Sequence, residues 1–165
     1  MRRRTRTNLF LLVMVALLGL AVFAELRREH ALQRDPLTTM DPDAIRSLAI
    51  TCPSCTSRRF EKVDGHWMMR EPQAQAADDK AVARLASILR APVRYRRPAS
   101  ELDASKLGLD PPMATLEVDG TMLKFGTTDA IRNDRYVKVG DTIALVPERF
   151  SALLFATPES ELANQ

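Results

Sequence analysis

The first 24 residues constrain this chain most, because they combine a basic start with an uninterrupted apolar run. Four arginines lie within the first six residues, and no charged residue occurs between Leu9 and Ala24. A basic segment followed by one apolar run is typical of a signal peptide or an amino-terminal membrane anchor. The pattern predicts that the rest of the chain lies across a membrane, as a small tethered or released domain.

Two fates are open to this segment. Residues 9–24 are near the lower limit of the roughly 17–25 residues that span a bilayer as a helix. The ending Val22-Phe23-Ala24 suits a signal peptidase, whereas Arg27 and Arg28 suit an uncleaved helix whose basic side chains reach the headgroups. We predict a single-pass anchor over residues 1–24 that contacts the lipid bilayer through residues 9–24. A cleaved signal peptide is the alternative.

The overall charge of the chain is misleading at first sight. The net charge is +3, from 24 basic and 21 acidic residues, which suggests a nucleic-acid partner. Without the four arginines of residues 1–24, 20 basic and 21 acidic residues remain, a net charge of −1. The exported part is nearly neutral and lacks the strong positive charge that nucleic-acid binding requires. The sequence therefore argues against a nucleic-acid partner.

The chain beyond the anchor divides into three parts. Residues 25–43 are polar, contain Pro36 and Pro42, and predict a linker that begins as a short helix over Glu25–Gln33. Residues 44–156 have the length of one modest domain. Residues 157–165 form a polar tail.

The sequence of residues 44–156 predicts an α+β fold in which a strand meander followed by a helix occurs twice. Asp64-Gly65, Asp119-Gly120 and Gly140-Asp141 each separate two apolar runs, as in tight β-hairpins. Asp78 or Asp79 caps a first helix, and a second is expected after Pro147. The helices carry apolar residues at helical spacing: Val82, Leu85, Ile88 and Leu89 in the first, and Phe150, Leu153 and Leu154 in the second. The expected architecture is two small antiparallel sheets, or one curved sheet, covered by helices on one face.

Several short motifs carry a family resemblance. In chain order they are Trp67 after Asp-Gly, Pro72 followed by Ala77-Asp78, Gly108-Leu109-Asp110-Pro111-Pro112, Phe125-Gly126 and Arg135-Tyr136-Val137. Over residues 44–156 the chain resembles domain-of-unknown-function family 4340 (DUF4340), whose members typically carry an amino-terminal anchor. The Gly-Leu-Asp-Pro-Pro corner and the Arg-Tyr-Val strand are the most specific of these motifs.

The resemblance implies a bacterial envelope protein in the inner (cytoplasmic) membrane, with its carboxyl-terminal domain in the periplasm. Some members of the family are linked to gliding-motility-type transport systems, which implies other envelope proteins as partners. The family offers no catalytic residues, so none is assigned here. The expected function is that of a non-enzymatic protein-binding or accessory module.

Cys52 and Cys55 form the motif that argues for a different function. A Cys-x-x-C spacing in an exported chain is compatible with a redox dithiol. Reactive cysteines of thioredoxin-like enzymes lie at a helix amino terminus, whereas this pair lies between two predicted strands. We predict a local disulfide in a hairpin tip, with an unpaired, incidental pair of thiols as one alternative. A thiol–disulfide redox protein that uses Cys52 and Cys55 is the alternative function.

Other catalytic or metal-binding arrangements have little support. Cys52, Cys55 and His66 are too few for a structural zinc site, which uses four ligands. Ser105 and Ser151 lack a nucleophile-elbow motif, and His66 is the only histidine within residues 44–156. The carboxylates Asp103, Asp110, Glu117 and Asp134 are interpreted as turn or solvent-face residues. No cofactor, metal or catalytic residue is predicted.

A partner surface is predicted around Tyr136 and the corner formed by Gly108, Asp110 and Pro111. If the domain works by binding, a sheet face or edge near these residues is the expected surface, by strand addition or by side-chain contact. An aromatic residue in a strand, such as Tyr136 or Trp67, more often packs in the core than lines a binding surface. An aspartate such as Asp110 more often bonds to its own backbone and shapes the turn than binds a partner's basic group.

Overall fold

The computed structural model describes residues 11–24 and 35–162, which belong to two separate units divided after Asp35. In the first unit, helix α1 spans residues 11–24, and its Leu, Val, Met and Phe side chains are 49–68% exposed. Across the two described ranges, no helix has the length and apolar character needed to cross a bilayer. The arginine-rich start, the predicted helix over residues 25–33 and the last three residues lie outside the described part.

The second unit is organised around one antiparallel sheet of nine strands. The strands are β1 (Ser47–Thr51), β2 (Arg58–Val63), β3 (His66–Glu71), β4 (Gln75–Ala76), β5 (Tyr95–Pro98), β6 (Ala114–Val118), β7 (Thr121–Thr128), β8 (Asp134–Val139) and β9 (Thr142–Pro147). Their order across the sheet is β4-β3-β2-β1-β6-β7-β8-β9-β5. The predicted α+β class with an antiparallel sheet is confirmed, and the sheet is continuous.

The strand order contains two meanders placed back to back. Strands β1–β4 form one and β6–β9 the other, and antiparallel pairing of β1 with β6 joins them. Strand β5 returns after the first meander to pair with β9, at the far edge of the second. One face of the sheet therefore carries a core shared by both meanders.

The tight turns confirm the predicted Asp-Gly hairpins. Asp64 and Gly65 have φ angles of 51° and 88°, and Asp119 and Gly120 have φ angles of 46° and 82°. Two successive residues in this left-handed region match the twist of the flanking strands, which is why aspartate followed by glycine is favoured there.

The first predicted helix is confirmed as α2 (Asp79–Ala86), which continues as a 3₁₀ turn over Ser87–Arg90. Asp78 is its N-cap and accepts a hydrogen bond from the Lys80 backbone N–H at 2.8 Å. The four apolar residues that predicted the helix are buried in the core: Val82, Leu85, Ile88 and Leu89.

The second predicted helix is wrong. Two 3₁₀ turns replace it, over Glu148–Phe150 and Ala152–Phe155, and a third follows in the predicted tail, over Pro158–Glu161. Within this stretch Glu148 and Ser151 accept hydrogen bonds from Arg135 on β8, a tertiary contact that overrides the helical pattern of the apolar residues. The backbone N–H groups of Ser151 and Leu154 each donate to the carbonyl three residues earlier, at 2.9 and 3.0 Å, which is the pattern of 3₁₀ turns.

The folded unit includes residues from both the predicted linker and the predicted tail. Leu37 is 2% exposed within the core, and its N–H donates to the Ala91 carbonyl at 2.9 Å. Near the other end, Glu161 is 2% exposed, and Leu162 forms a bridge with Ala77. Residues 36–43 and 157–162 therefore contribute to the packing of this unit.

Candidate interaction surface

Arg135, from the Arg-Tyr-Val motif, organises the inner side of the second meander. Its guanidinium donates to both carboxylate oxygens of Glu148 at 2.5 and 2.6 Å, to the Ser151 hydroxyl at 3.0 Å and to the Gly126 carbonyl at 2.5 Å. It also stacks on the Phe155 ring at 4.8 Å. One nearly buried cation thus joins β8 and β7 to the 3₁₀ turns.

The Glu148 carboxylate responds to this arrangement. Its partial burial acts to raise its pKa, but hydrogen bonds from Arg135 and Ser151 and the positive charge of Arg135 outweigh that effect. The pKa of Glu148 is therefore below its usual value, and the group remains ionised at neutral pH. Ser151 is fully buried and donates its hydroxyl hydrogen bond to Glu148 at 2.7 Å, so both residues serve packing.

The Gly108–Pro112 corner is fastened to β7 by backbone contacts. The Leu107 carbonyl accepts hydrogen bonds from the Thr127 N–H at 2.8 Å and from its hydroxyl at 3.1 Å. Gly108 has a φ of 65°, and a Cβ there would meet the Thr127 methyl group at 2.9 Å. A Cβ on Gly126 would meet the Leu107 carbonyl oxygen at 2.1 Å. The two glycines allow the corner to approach the strand closely.

Tyr136 lies next to the point where this corner meets the sheet. In the pairing of β7 with β8, Phe125 lies opposite Val137 and Thr128 opposite Arg135, and the bulge between them contains Gly126 and Thr127. Tyr136 therefore lies opposite the bulge to which the corner is bonded. It is half-exposed on the side of the sheet opposite the main core, called here the outer face. The structure brings Tyr136 and the corner to one place, and the core role is not the one that Tyr136 takes.

Asp110 and Pro111 occupy the outermost part of the corner. Both are exposed, and the peptide bond between them is cis. Asp110 has no hydrogen-bond partner within residues 35–162, so the turn-forming bond considered for it is not made. Leu109 beneath them is 1% exposed yet lies outside the main core cluster, because it packs against Gly126. The corner thus presents a carboxylate and a proline on a firmly held base.

The extent of the match to one family model shows which family this chain belongs to. The model of the family described as "Domain of unknown function (DUF4340)" matches residues 67–161, which is more than half of the chain. The chain belongs to the DUF4340 family. No match was found among curated proteins or among solved structures. The match covers β3 to the last 3₁₀ turn, including Arg135, Tyr136 and the corner of the DUF4340 domain.

The most buried ion pair of this unit, between Arg58 and Glu161, was not predicted from the sequence. Arg58 on β2 is fully buried and donates to Glu161 at 2.5 Å and to the Leu154 carbonyl at 2.6 Å. The Arg58 Nε and the Glu161 Oε2 have no hydrogen-bond partner in the described part of the chain. The ion pair fastens the carboxyl-terminal turns to the first meander over a separation of 103 residues, so no local sequence signal reveals it.

The cysteines are joined in the structure by a disulfide between Cys52 and Cys55, whose Cα atoms are 5.4 Å apart. They lie in the turn between β1 and β2, with Cys52 buried and Cys55 half-buried. Neither lies at the amino terminus of a described helix, the position that activates a thiol.

His66, considered above as a metal ligand together with the cysteines, pairs instead with the Asp79 carboxylate. Its Nδ1 lies 2.8 Å from the Asp79 carboxylate, whose pKa is lowered by the hydrogen bond from the Trp67 backbone N–H and by the contact with His66. Trp67 itself is buried, as the core interpretation predicted. Within the described ranges, no group of three or more His, Cys, Asp or Glu side chains is placed to hold a metal ion.

The carboxylates considered as acid–base candidates have separate local partners. Asp103 bonds to Ser105, whose hydroxyl and N–H lower the pKa of that carboxyl together with Lys106, so it is a turn residue as predicted. Glu117 is exposed on β6. The interpretation of Asp134 is wrong, because it is 4% exposed and pairs with Arg94 at 3.0 Å.

The arginines on and beside β5 each have a partner within the domain. Arg94 pairs with Asp134, Arg96 donates to the Pro36 carbonyl at 3.0 Å, and Arg97 contacts Tyr95 and Glu101. These arginines therefore make contacts within the domain. In contrast, Lys124 on β7 and Lys138 on β8 have no hydrogen-bond or ion-pair partner among the described residues.

Proposed function

We propose that this chain is a single-pass protein of the inner membrane whose DUF4340 domain binds other envelope proteins in the periplasm without catalysing a reaction. The observation that carries the proposal is the order of its parts: a basic start, an apolar helix and then a domain with a rigid, partly aromatic surface. In this proposal residues 1–24 are the anchor, and two meander units form the domain.

The anchor is supported by charge and by exposed apolar surface. Positive charge resists translocation, so an arginine-rich amino terminus favours a cytoplasmic position. The apolar side chains of α1 are 49–68% exposed along its length. A continuous exposed apolar surface calls for a cover of lipid or protein.

The topology predicts the outcome of reporter fusions. Alkaline phosphatase fused after Gln165 should be active, because it folds only in the oxidising compartment outside the cytoplasm. Green fluorescent protein, which fluoresces when it folds in the cytoplasm but not after export by the general secretion route, should be dark when fused at the same point. Replacing Arg2, Arg3, Arg4 and Arg6 with glutamate serves as a control and should lower the phosphatase activity. A bright cytoplasmic reporter fused to the native sequence would refute the topology.

A binding role is supported by how the polar groups of the domain are used. Arg135, Glu148 and Ser151 bond to one another, and Arg58 bonds to Glu161. The exposed features near β7 are instead Tyr136 and the Asp110–Pro111 corner. Catalytic groups must reach a substrate with their chemistry available, whereas a held corner and an aromatic side chain suit contact with a protein.

The disulfide supports a second candidate, a thiol–disulfide redox protein using Cys52 and Cys55. A redox role requires one sulfur to be open to attack by a thiolate. Cys52 is 7% exposed and belongs to the core cluster, which makes it a poor target. We therefore rank the redox function second.

A crosslinking experiment separates the two functions. Replacing both Cys52 and Cys55 with alanine avoids burying a hydroxyl, and the short loop predicts a loss of less than about 2 kcal/mol in unfolding free energy. On the binding proposal, the variant should recover the same crosslinked envelope proteins from intact membranes as the native chain, in similar yield. Complete loss of function in a variant that still melts cooperatively would favour the redox function.

A further inference from the structure

Two lysines lie directly opposite each other on the outer face of the sheet. Lys124 on β7 pairs with Lys138 on β8, which places their Cβ atoms about 4.5–5.5 Å apart. Both alternate with buried core residues, so both side chains leave the sheet on the same side. Like charges at directly opposed positions destabilise a sheet.

No carboxylate in the described part of the chain forms an ion pair with either lysine. Neither lysine has a hydrogen-bond or ion-pair partner within the described residues. Glu101, which follows β5, is held by Arg97 instead. Glu117 is diagonal to Lys124 on β6, and no ion pair joins the two side chains in the structure. Among residues 35–162, the fold therefore presents two adjacent positive charges that have no ion-pair partner.

The surroundings of the lysines are apolar and aromatic. Lys138 lies opposite Ile143, which is 1% exposed, and Tyr136 lies opposite Leu145 on the same face. Tyr95 and Met122 flank the row and are 44% and 50% exposed. Aromatic side chains and methionine are enriched at protein interfaces, and lysine stems can lie along apolar surface.

We propose that Lys124 and Lys138 form the centre of a docking site for an acidic segment of a partner protein. This inference rests on the proposed function and adds to it the chemistry of the partner. Carboxylates of the partner replace the missing counter-charges, while its apolar side chains contact Tyr136 and Met122. An anionic membrane surface fits less well, because lipid-binding patches typically gather about 4–8 basic residues.

The inference makes a stability prediction that distinguishes it from a structural role. Changing both residues to methionine, K124M/K138M, keeps the side-chain stems and removes the repulsion. The melting temperature of the full chain in nonionic detergent should rise by roughly 2–4 °C. A lower melting temperature would show that these charges support the fold, and would overturn the inference.

Binding is tested with a defined acidic probe, fluorescein-labelled poly-L-glutamate, by anisotropy with the full chain in nonionic detergent. The native chain should bind the probe, and K124M/K138M should bind it about fivefold to tenfold more weakly at low salt. The matched control K80M/K106M removes the same charge from exposed positions off the sheet and should bind within about twofold of the native chain. Equal weakening by both pairs, or no binding by the native chain, would overturn the inference.

Two other occupants are separated by the same variants. A native dimer that K124M/K138M dissociates, measured by light scattering, would assign the face to a second copy and overturn the proposal. Lysine-dependent binding to phosphatidylglycerol vesicles without poly-L-glutamate binding would also overturn it. In membrane crosslinking, an unchanged partner yield from K124M/K138M refutes the site but leaves the binding function standing. Failure of the native chain to crosslink any envelope protein refutes the binding function itself.

Discussion

Replacing Arg58 with methionine is expected to lower the unfolding free energy by about 3–5 kcal/mol. The change leaves the Glu161 carboxylate buried without a counter-charge, and removing one partner of a buried ion pair is far more costly than removing both. It also removes the hydrogen bond to the Leu154 carbonyl. Urea unfolding of the full chain in nonionic detergent, followed by Trp67 fluorescence, provides the measurement.

The double variant R58M/E161L provides the decisive comparison. The pair is imperfectly satisfied, because Arg58 Nε and Glu161 Oε2 have no hydrogen-bond partner within residues 35–162. Apolar residues of similar volume should therefore restore most of the stability lost in the single variant. The loss of unfolding free energy in R58M/E161L should therefore be much smaller than the sum of the losses in R58M and E161L. A loss equal to that sum would contradict this account, because it would mean that the two charges are not coupled.

Local features of the fold could be predicted because their causes are local. Asp64-Gly65 and Asp119-Gly120 specify their hairpins through the left-handed backbone that those residues tolerate. Helix α2 follows from its Asp78 cap and from one apolar face. The last helix was predicted wrongly, because the conformation there depends on the bonds of Glu148 and Ser151 to Arg135 on a separate strand.

The face on which Tyr136 lies shows why the site was harder to predict. In Arg135-Tyr136-Val137, alternation allows either the tyrosine or its two neighbours to point toward the core. Hydropathy alone cannot favour an inward arginine. The structure turns Arg135 inward because Glu148, thirteen residues later, meets it with two hydrogen bonds. A distant carboxylate thus decides which face Tyr136 occupies.

The lysine pair depends on a register that the hairpin sequence does not specify. Lys124 and Lys138 become neighbours only because the bulge in β7 lies between them and the connecting turn. A bulge shifts the pairing by one residue and so changes which side chains are opposed. Arg58 and Glu161 depend in the same way on the packing of the two ends of the domain.

The largest backbone effect is expected at Gly126. A Cβ there would meet the Leu107 carbonyl oxygen at 2.1 Å and Leu109 side-chain carbons at 3.0 and 3.1 Å. The principal obstacle is backbone, which no rotamer change can remove, so Gly126→Ala must displace the corner from β7. Overpacking of this kind costs about 3 kcal/mol, or roughly 10 °C in the melting temperature of a domain of this size.

Amide hydrogen exchange shows whether the corner is the part that moves. The Thr127 N–H, now bonded to the Leu107 carbonyl, and the Leu109 N–H, bonded to the Ala104 carbonyl, should exchange faster in Gly126→Ala. Gly140→Ala is the control, because Gly140 has a φ of 54° and open space around it, so it bears only a left-handed backbone penalty of about 1 kcal/mol. If the corner contributes to partner binding, the yield of crosslinked partner should fall in Gly126→Ala, measured at a temperature at which that variant is still folded. The yield should be unchanged in Gly140→Ala. Native exchange rates at Thr127 and Leu109 in Gly126→Ala would disprove the close approach itself, because an intact corner leaves no room for the methyl group.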